Sequence, residues 1–149
     1  MKCKKLKVVD WNEYEELLLK LCEKIRFSQI DDIVAIGRGG SIIGAYIAST
    51  LGIPTFYPIF LRHIGIGSEK RIEDISPQSR DQIKNLTGSI LVVDDYLRDG
   101  LAMKYALNLI SKASTKTLVM YDHKGSEFKP DIVGEYIDDA EIMFPYNVI

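Results

Sequence analysis

Two short runs, Ile33-Val34-Ala35-Ile36 and Ile90-Leu91-Val92-Val93, are apolar at every position and mostly β-branched. A strand without a polar face must be covered on both sides, which is the condition of a central strand in a parallel sheet. Helical spacing lies between and around these runs. Asp10 can cap a helix over 11–26, whose Tyr14, Leu17, Leu18, Leu21 and Ile25 recur at steps of three and four. After a tight Gly37-Arg38-Gly39-Gly40 loop, Ser41 is placed to cap a second helix to Leu51, with Gly52 at its C′ position and Pro54 beyond. A strand is expected over 55–60 and a helix over 101–111 with Met103, Ala106, Leu107 and Ile110 on one face. Further strands are expected over 117–121 and 142–144. The alternation predicts an α/β fold, a mostly parallel sheet flanked by helices.

The chain has 149 residues, 46% of them hydrophobic and 27% charged, which suits one domain over 1–149 and excludes a disordered tail or a disulfide scaffold. Net charge is −2, so coating a nucleic-acid backbone is not the expected task; the Lys2, Lys4, Lys5, Lys7 group is too small to change that. Cys3 and Cys22 show no metal spacing and read as reduced thiols of a cytoplasmic protein. Residues 39–61 carry no charge but contain four glycines and two prolines, which fits a buried helix and strand better than a membrane span. No signal peptide is expected at the basic N-terminus. Residues 62–85 are charged and hold no period, as in a functional lid or a moving hairpin.

Two loops have anion-binding character. Arg38-Gly39-Gly40-Ser41 joins a strand to a helix, so its glycines allow close backbone approach, the helix start offers N–H groups and Arg38 adds a cation. Asp94-Asp95 follows an apolar strand, a costly place for two carboxylates unless they meet a diol, a metal or a cation. In an extended segment the two side chains point apart, so they should do different jobs. Gly100 then opens a second helix start. Two anion sites with an acid pair between them describe a ligand with phosphates at both ends and hydroxyls in the middle, the shape of 5-phosphoribosyl pyrophosphate.

The residues 33–41 with Ala45 and Leu51-Gly52-Ile53-Pro54 resemble the pyrophosphate loop and helix of type I phosphoribosyltransferases, and 90–100 resemble their ribose and 5′-phosphate signature. The Trp11 helix, Lys124, Lys129-Pro130-Asp131 and Phe144-Pro145-Tyr146 are similar to short microbial and archaeal 6-oxopurine members. The resemblance implies that Arg38, Gly39, Gly40 and Ser41 hold pyrophosphate and that Asp94 and Asp95 bind the ribose hydroxyls, with Mg²⁺ held through ribose or water. It implies a 5′-phosphate loop of Arg98, Asp99, Gly100, Leu101 and Ala102. A mobile hood over about 61–87 would cover the reacting carbon, with Arg62, Lys70 or Arg71 facing the leaving group. Lys124 would bind a purine oxygen, and Phe144 or Tyr146 would supply a ring. The implied reaction is transfer of phosphoribosyl to a purine base, and the implied assembly is a homodimer.

The sequence departs from the family pattern at Arg98, where purine-using members carry a carboxylate that handles the base proton, and at Leu101 and Ala102, where they carry hydroxyls. Asp99 puts a negative charge beside the expected phosphate, repulsive unless Arg98 or a metal offsets it. Glu141 stands where relatives have a stacking tryptophan. Three readings follow: a purine phosphoribosyltransferase, a non-catalytic relative that binds a nucleotide or phosphoribosyl pyrophosphate as a regulator, or another transfer chemistry on the same scaffold.

Overall fold

A computed structural model describes residues 4–138 and 140–147; Lys2, Cys3 and Asp139 lie outside them. The elements in chain order are β1 (Lys5–Val8), α1 (Trp11–Ile25), β2 (Asp32–Ile36), α2 (Gly37–Leu51), β3 (Phe56–Ile59), β4 (Leu61–Ile64) and β5 (Arg71–Asp74). They continue with α3 (Pro77–Ile83), β6 (Ser89–Leu97), α4 (Leu101–Leu109), β7 (Ser114–His123), β8 (Ile132–Ile137) and β9 (Ala140–Met143). Asp10 caps α1 as expected, its carboxylate accepting the Glu13 N–H at 2.8 Å.

Strands β3-β2-β6-β7-β8 form one parallel sheet in that order, with the two all-apolar runs adjacent at its centre. Their alternating side chains feed two cores. Ile33, Ala35, Leu91 and Val93 pack with α1 and α2, while Val34, Ile36, Ile90 and Val92 pack with α3 and α4. The sheet is thus covered on both faces, which is why neither run could tolerate a polar position.

Two parallel pairings complete the fold beyond the sequence expectations. β1 pairs with β9, Lys5 to Ala140 through Val8 to Met143, and β8 forms the sheet edge. β1 (Lys5-Leu6-Lys7-Val8) is not expected as a strand from the sequence: its side chains are mostly exposed, and four residues carry too little pattern to announce one. Residues 61–74 form an antiparallel hairpin, β4 with β5, one of the two forms the sequence suggested for this region.

Asp122, near the end of β7, has both carboxylate oxygens buried without a hydrogen-bond partner among the described residues. Burial raises its pKa, opposed by the nearby Lys129 and His123 charges. An acid that holds its proton more tightly when folded costs nothing below its unfolded pKa and destabilises as pH rises through the folded value. Asp122→Asn is therefore expected to stabilise the protein by about 1–3 kcal/mol near pH 8, with the gain vanishing toward pH 3. Melting curves of both proteins across that range check it; a constant difference would mean the carboxyl titrates normally.

Candidate functional site at the carboxyl ends of the central strands

The chain enters α2 in one residue. Gly37 takes φ of +66°, and the helix begins there instead of after a four-residue loop. This corrects the expected position of Ser41: it lies inside the helix, and its hydroxyl donates to the Gly37 carbonyl at 2.6 Å, so it caps nothing. The left-handed glycine makes the whole turn, leaving Arg38, Gly39 and Gly40 free to adopt helical geometry. Arg38 is exposed, whereas Gly39 and Gly40 are buried against β6. A Cβ on Gly40 would stand 2.7 Å from the Val93 carbonyl oxygen, and one on Gly39 would stand 1.8 Å from Asp95 Oδ2. Only glycines let the helix start so close to the acid pair.

β6 does not end at the acids, as the sequence suggested, but continues past both to Leu97. Its register with β7 passes from Asp94–Val119 to Tyr96–Tyr121, skipping Asp95. Asp94 is thus aligned with a residue of the core under α3 and α4, while Asp95 reaches Gly39 and Tyr146 on the other side. Asp94 Oδ1 accepts the Asp95 N–H at 2.8 Å, and Asp95 accepts from Tyr96 N and the Tyr146 hydroxyl, both at 2.7 Å. Burial, and then the Asp95 charge beside it, hold the Asp94 carboxyl well above the usual range. Such a group is relieved by a cation or by donors brought by a ligand.

The loop after β6 is organised by its own side chains. Asp99 Oδ1 accepts the Leu101 N–H at 3.1 Å at the start of α4, and Lys70 Nζ of the hairpin lies 4.0 Å from Asp99 Oδ2. The cation that faces Asp99 is thus Lys70, while Arg98 lies over the Tyr96 ring at 5.1 Å. Gly100 has φ of +78°, and a Cβ there would stand 2.7 Å from the Phe128 Cβ. Leu101 and Ala102 are half-buried in the first turn of α4.

In the hairpin, Arg62 faces Glu73 across the pair and donates to it through Nε at 2.7 Å, so this cation is already engaged. Arg71 is exposed, opposite Ile64. The Tyr105 hydroxyl of α4 donates to Asp74 at 3.2 Å, tying the base of the hairpin to that helix.

The residues expected to meet a base divide. Lys124 is exposed and 3.1 Å from Asp138. Phe144 is 6% exposed, enclosed by Tyr14, Tyr121 and Tyr146, so it is a core ring and offers no free face for stacking. Tyr146 is half-buried, stacked on Phe144 with centroids 5.1 Å apart. Burial, and then the Asp95 charge, push its phenol far up, so it stays a donor. Tyr14 was legible only as one apolar position of α1, yet its ring meets Tyr146 edge-on at 5.7 Å and burial raises its phenol likewise. Trp11, 57% exposed, stands 6.5 Å from Tyr146. No local signal could have joined these rings to the acid pair, because the β1–β9 pairing brings the two chain ends together.

No group of three or more metal-ligating side chains forms among the described residues, and no helix is long and apolar enough to cross a membrane. What the geometry offers is a glycine-lined helix start, an acid pair against it, and a second helix start beneath a charged hairpin.

Known structures share this arrangement of elements. A purine phosphoribosyltransferase from Pyrococcus horikoshii superposes with a TM-score of 0.81 at 17% identity, covering 97% of this chain and 95% of that one. A hypothetical protein from Neisseria gonorrhoeae with bound ppGpp gives 0.78 at 19% identity, covering 100% and 93%. A xanthine-guanine-hypoxanthine phosphoribosyltransferase from Helicobacter pylori gives 0.71 at 18%, covering 96% and 94%. No curated protein matches in sequence. The phosphoribosyl transferase domain model matches residues 8–146, nearly the whole chain, and on that match this protein belongs to the phosphoribosyltransferase family.

Proposed function

We propose that the protein transfers a 5-phosphoribosyl group from phosphoribosyl pyrophosphate to a purine base, releasing pyrophosphate and a nucleoside monophosphate. The observation that carries this reading is the contact between the Gly39-Gly40 start of α2 and the Asp94-Asp95 pair, because it puts an anion site and a diol site side by side. A base nitrogen attacks the anomeric carbon as the bond to pyrophosphate breaks, through an oxocarbenium-like state, and the proton on that nitrogen passes to water or to the departing pyrophosphate. Arg38 and the α2 N–H groups receive the leaving group, Asp94 and Asp95 take the ribose hydroxyls, and the 98–102 loop takes the 5′-phosphate. Lys124 and Tyr146 approach the base. The segment 61–87 acts as a hood within a single domain, and Lys70 exchanges Asp99 for the pyrophosphate when ligand arrives.

The acid pair also fits Mg²⁺ of the substrate complex. Asp94 is a buried carboxyl that a cation would relieve, and no third metal-ligating side chain joins the pair among the described residues, so the acids would hold Mg²⁺ chiefly through ribose oxygens and water. A cytoplasmic homodimer completes the reading.

One observation favours a second reading, a nucleotide-binding regulator without turnover. Asp99 occupies the start of α4 where a phosphate would dock, and the similar Neisseria gonorrhoeae protein was solved with ppGpp. Incubation with Mg²⁺, phosphoribosyl pyrophosphate and mixed bases, read by mass spectrometry, separates the two. A new monophosphate establishes the transferase; folded protein with no product and tight nucleotide binding establishes the regulator. Asp99→Thr, which removes the charge and supplies a hydroxyl, is expected to tighten phosphoribosyl pyrophosphate binding about five- to tenfold. Weaker binding in calorimetry would mean that Asp99 supports the loop more than it opposes the phosphate.

A further inference from the structure

Both oxygens of Asp95 are engaged from within the chain. Oδ1 accepts the Tyr96 N–H and Oδ2 accepts the Tyr146 hydroxyl, each at 2.7 Å. The phenol is held firmly: its ring lies nearly parallel to Phe144, 6° between planes, with Tyr14 edge-on at 5.7 Å. Its hydroxyl would stand 2.8 Å from a Cβ on Gly39, so phenol, carboxylate and the start of α2 meet at one point. A phenol O–H and a sugar O–H are equivalent donors toward a carboxylate.

We propose that Tyr146 determines specificity for the sugar: its hydroxyl stands in for one ligand hydroxyl at Asp95, so the site takes a deoxyribose nearly as well as a ribose. The inference rests on the reading of Asp94 and Asp95 as the sugar-binding acids. A ribose hydroxyl that reaches Asp95 Oδ2 meets an oxygen already supplied with an O–H donor and gains little. A deoxy sugar leaves Tyr146 where it is, and no carboxylate oxygen is stranded. Without the phenol hydroxyl the same deoxy sugar leaves Asp95 Oδ2 bare, and the missing charge-assisted hydrogen bond is felt in full.

The test is calorimetric titration of the unmodified protein and of Tyr146→Phe with GMP, 2′-deoxy-GMP and 3′-deoxy-GMP. Phenylalanine keeps the stack on Phe144, and melting curves verify the fold. The unmodified protein is expected to bind GMP and one of the two deoxy forms within about threefold, and the variant to bind that deoxy form about 10- to 100-fold more weakly than GMP. Equal ratios in the two proteins overturn the inference and leave the sugar-site reading standing. Loss of all binding in a folded variant also overturns it, since Tyr146 would then be positioning Asp95. Should the variant not fold, the unmodified protein decides: tenfold discrimination against both deoxy forms overturns the proposal. No binding by the unmodified protein overturns the reading of the site and the inference together.

Discussion

Gly40→Ala is expected to lower stability by about 1–3 kcal/mol, or roughly 3–10 °C in melting temperature for a chain this size. The reason is geometric. The new methyl would stand 2.7 Å from the Val93 carbonyl oxygen and 3.5 Å from the Asp94 Cα, both backbone atoms that cannot rotate away. Either α2 or β6 must shift, and the shift would separate the helix start from the acid pair, so ligand affinity should fall with stability. Gly39→Ala makes the comparison informative, because its methyl meets the Asp95 side chain and the Tyr146 hydroxyl instead of backbone. The Asp95 carboxylate can rotate where a backbone carbonyl cannot, so the loss of stability should be smaller and, on the proposed reading, the loss of ligand binding at least as large. Thermal melts and calorimetry on the two variants check this. Equal melting temperatures for Gly40→Ala and the unmodified protein would show that α2 does not approach β6 as described.

Asp94→Asn should separate activity from stability. On the proposed reading, turnover with phosphoribosyl pyrophosphate is expected to fall about 100-fold or more, since the variant would lose the charge assigned to the sugar and its cation. Stability at pH 8 is expected to rise. Burial and the Asp95 charge raise the Asp94 pKa, so the folded protein holds this proton more tightly than the unfolded chain does. The carboxyl therefore destabilises increasingly as pH climbs through its folded value and is harmless at low pH, which puts the variant's advantage on the alkaline side only. Melting curves at pH 4 and pH 8, with an activity assay, test both halves. A variant that melts lower at pH 8 would mean the ionised Asp94 is a structural partner in the unliganded protein.

Much of the site could be read from local pattern. The two apolar runs required a covered parallel sheet, and the sheet puts the residues following each run at the same end. Gly39 and Gly40 announced a close backbone approach, and the contacts a Cβ would make there with Asp95 and the Val93 carbonyl give the cause. The role of Ser41 was misread because helix start signals do not reveal that one left-handed glycine can replace a loop. Phe144 resembled a stacking ring in the chain's last segment, but its burial depends on Tyr14 and Tyr121, more than a hundred and more than twenty residues away.

What the chain determines alone is whatever periodicity and residue chemistry fix within a few neighbours: the strand cores, the amphipathic helices, the adjacent acids and the helix starts beside them. Side chains on consecutive strand residues must diverge, so even the division of labour between Asp94 and Asp95 follows from the backbone. Tertiary structure decided which groups those acids meet. Tyr146 reaches Asp95 across 51 positions, and Lys70 reaches Asp99 from the hairpin. Such pairs depend on loop paths and strand pairings that local spacing does not encode, because a hydroxyl or an ammonium is chemically the same wherever it lies in the sequence. Only the fold brings one of them within hydrogen-bonding distance of a particular carboxylate.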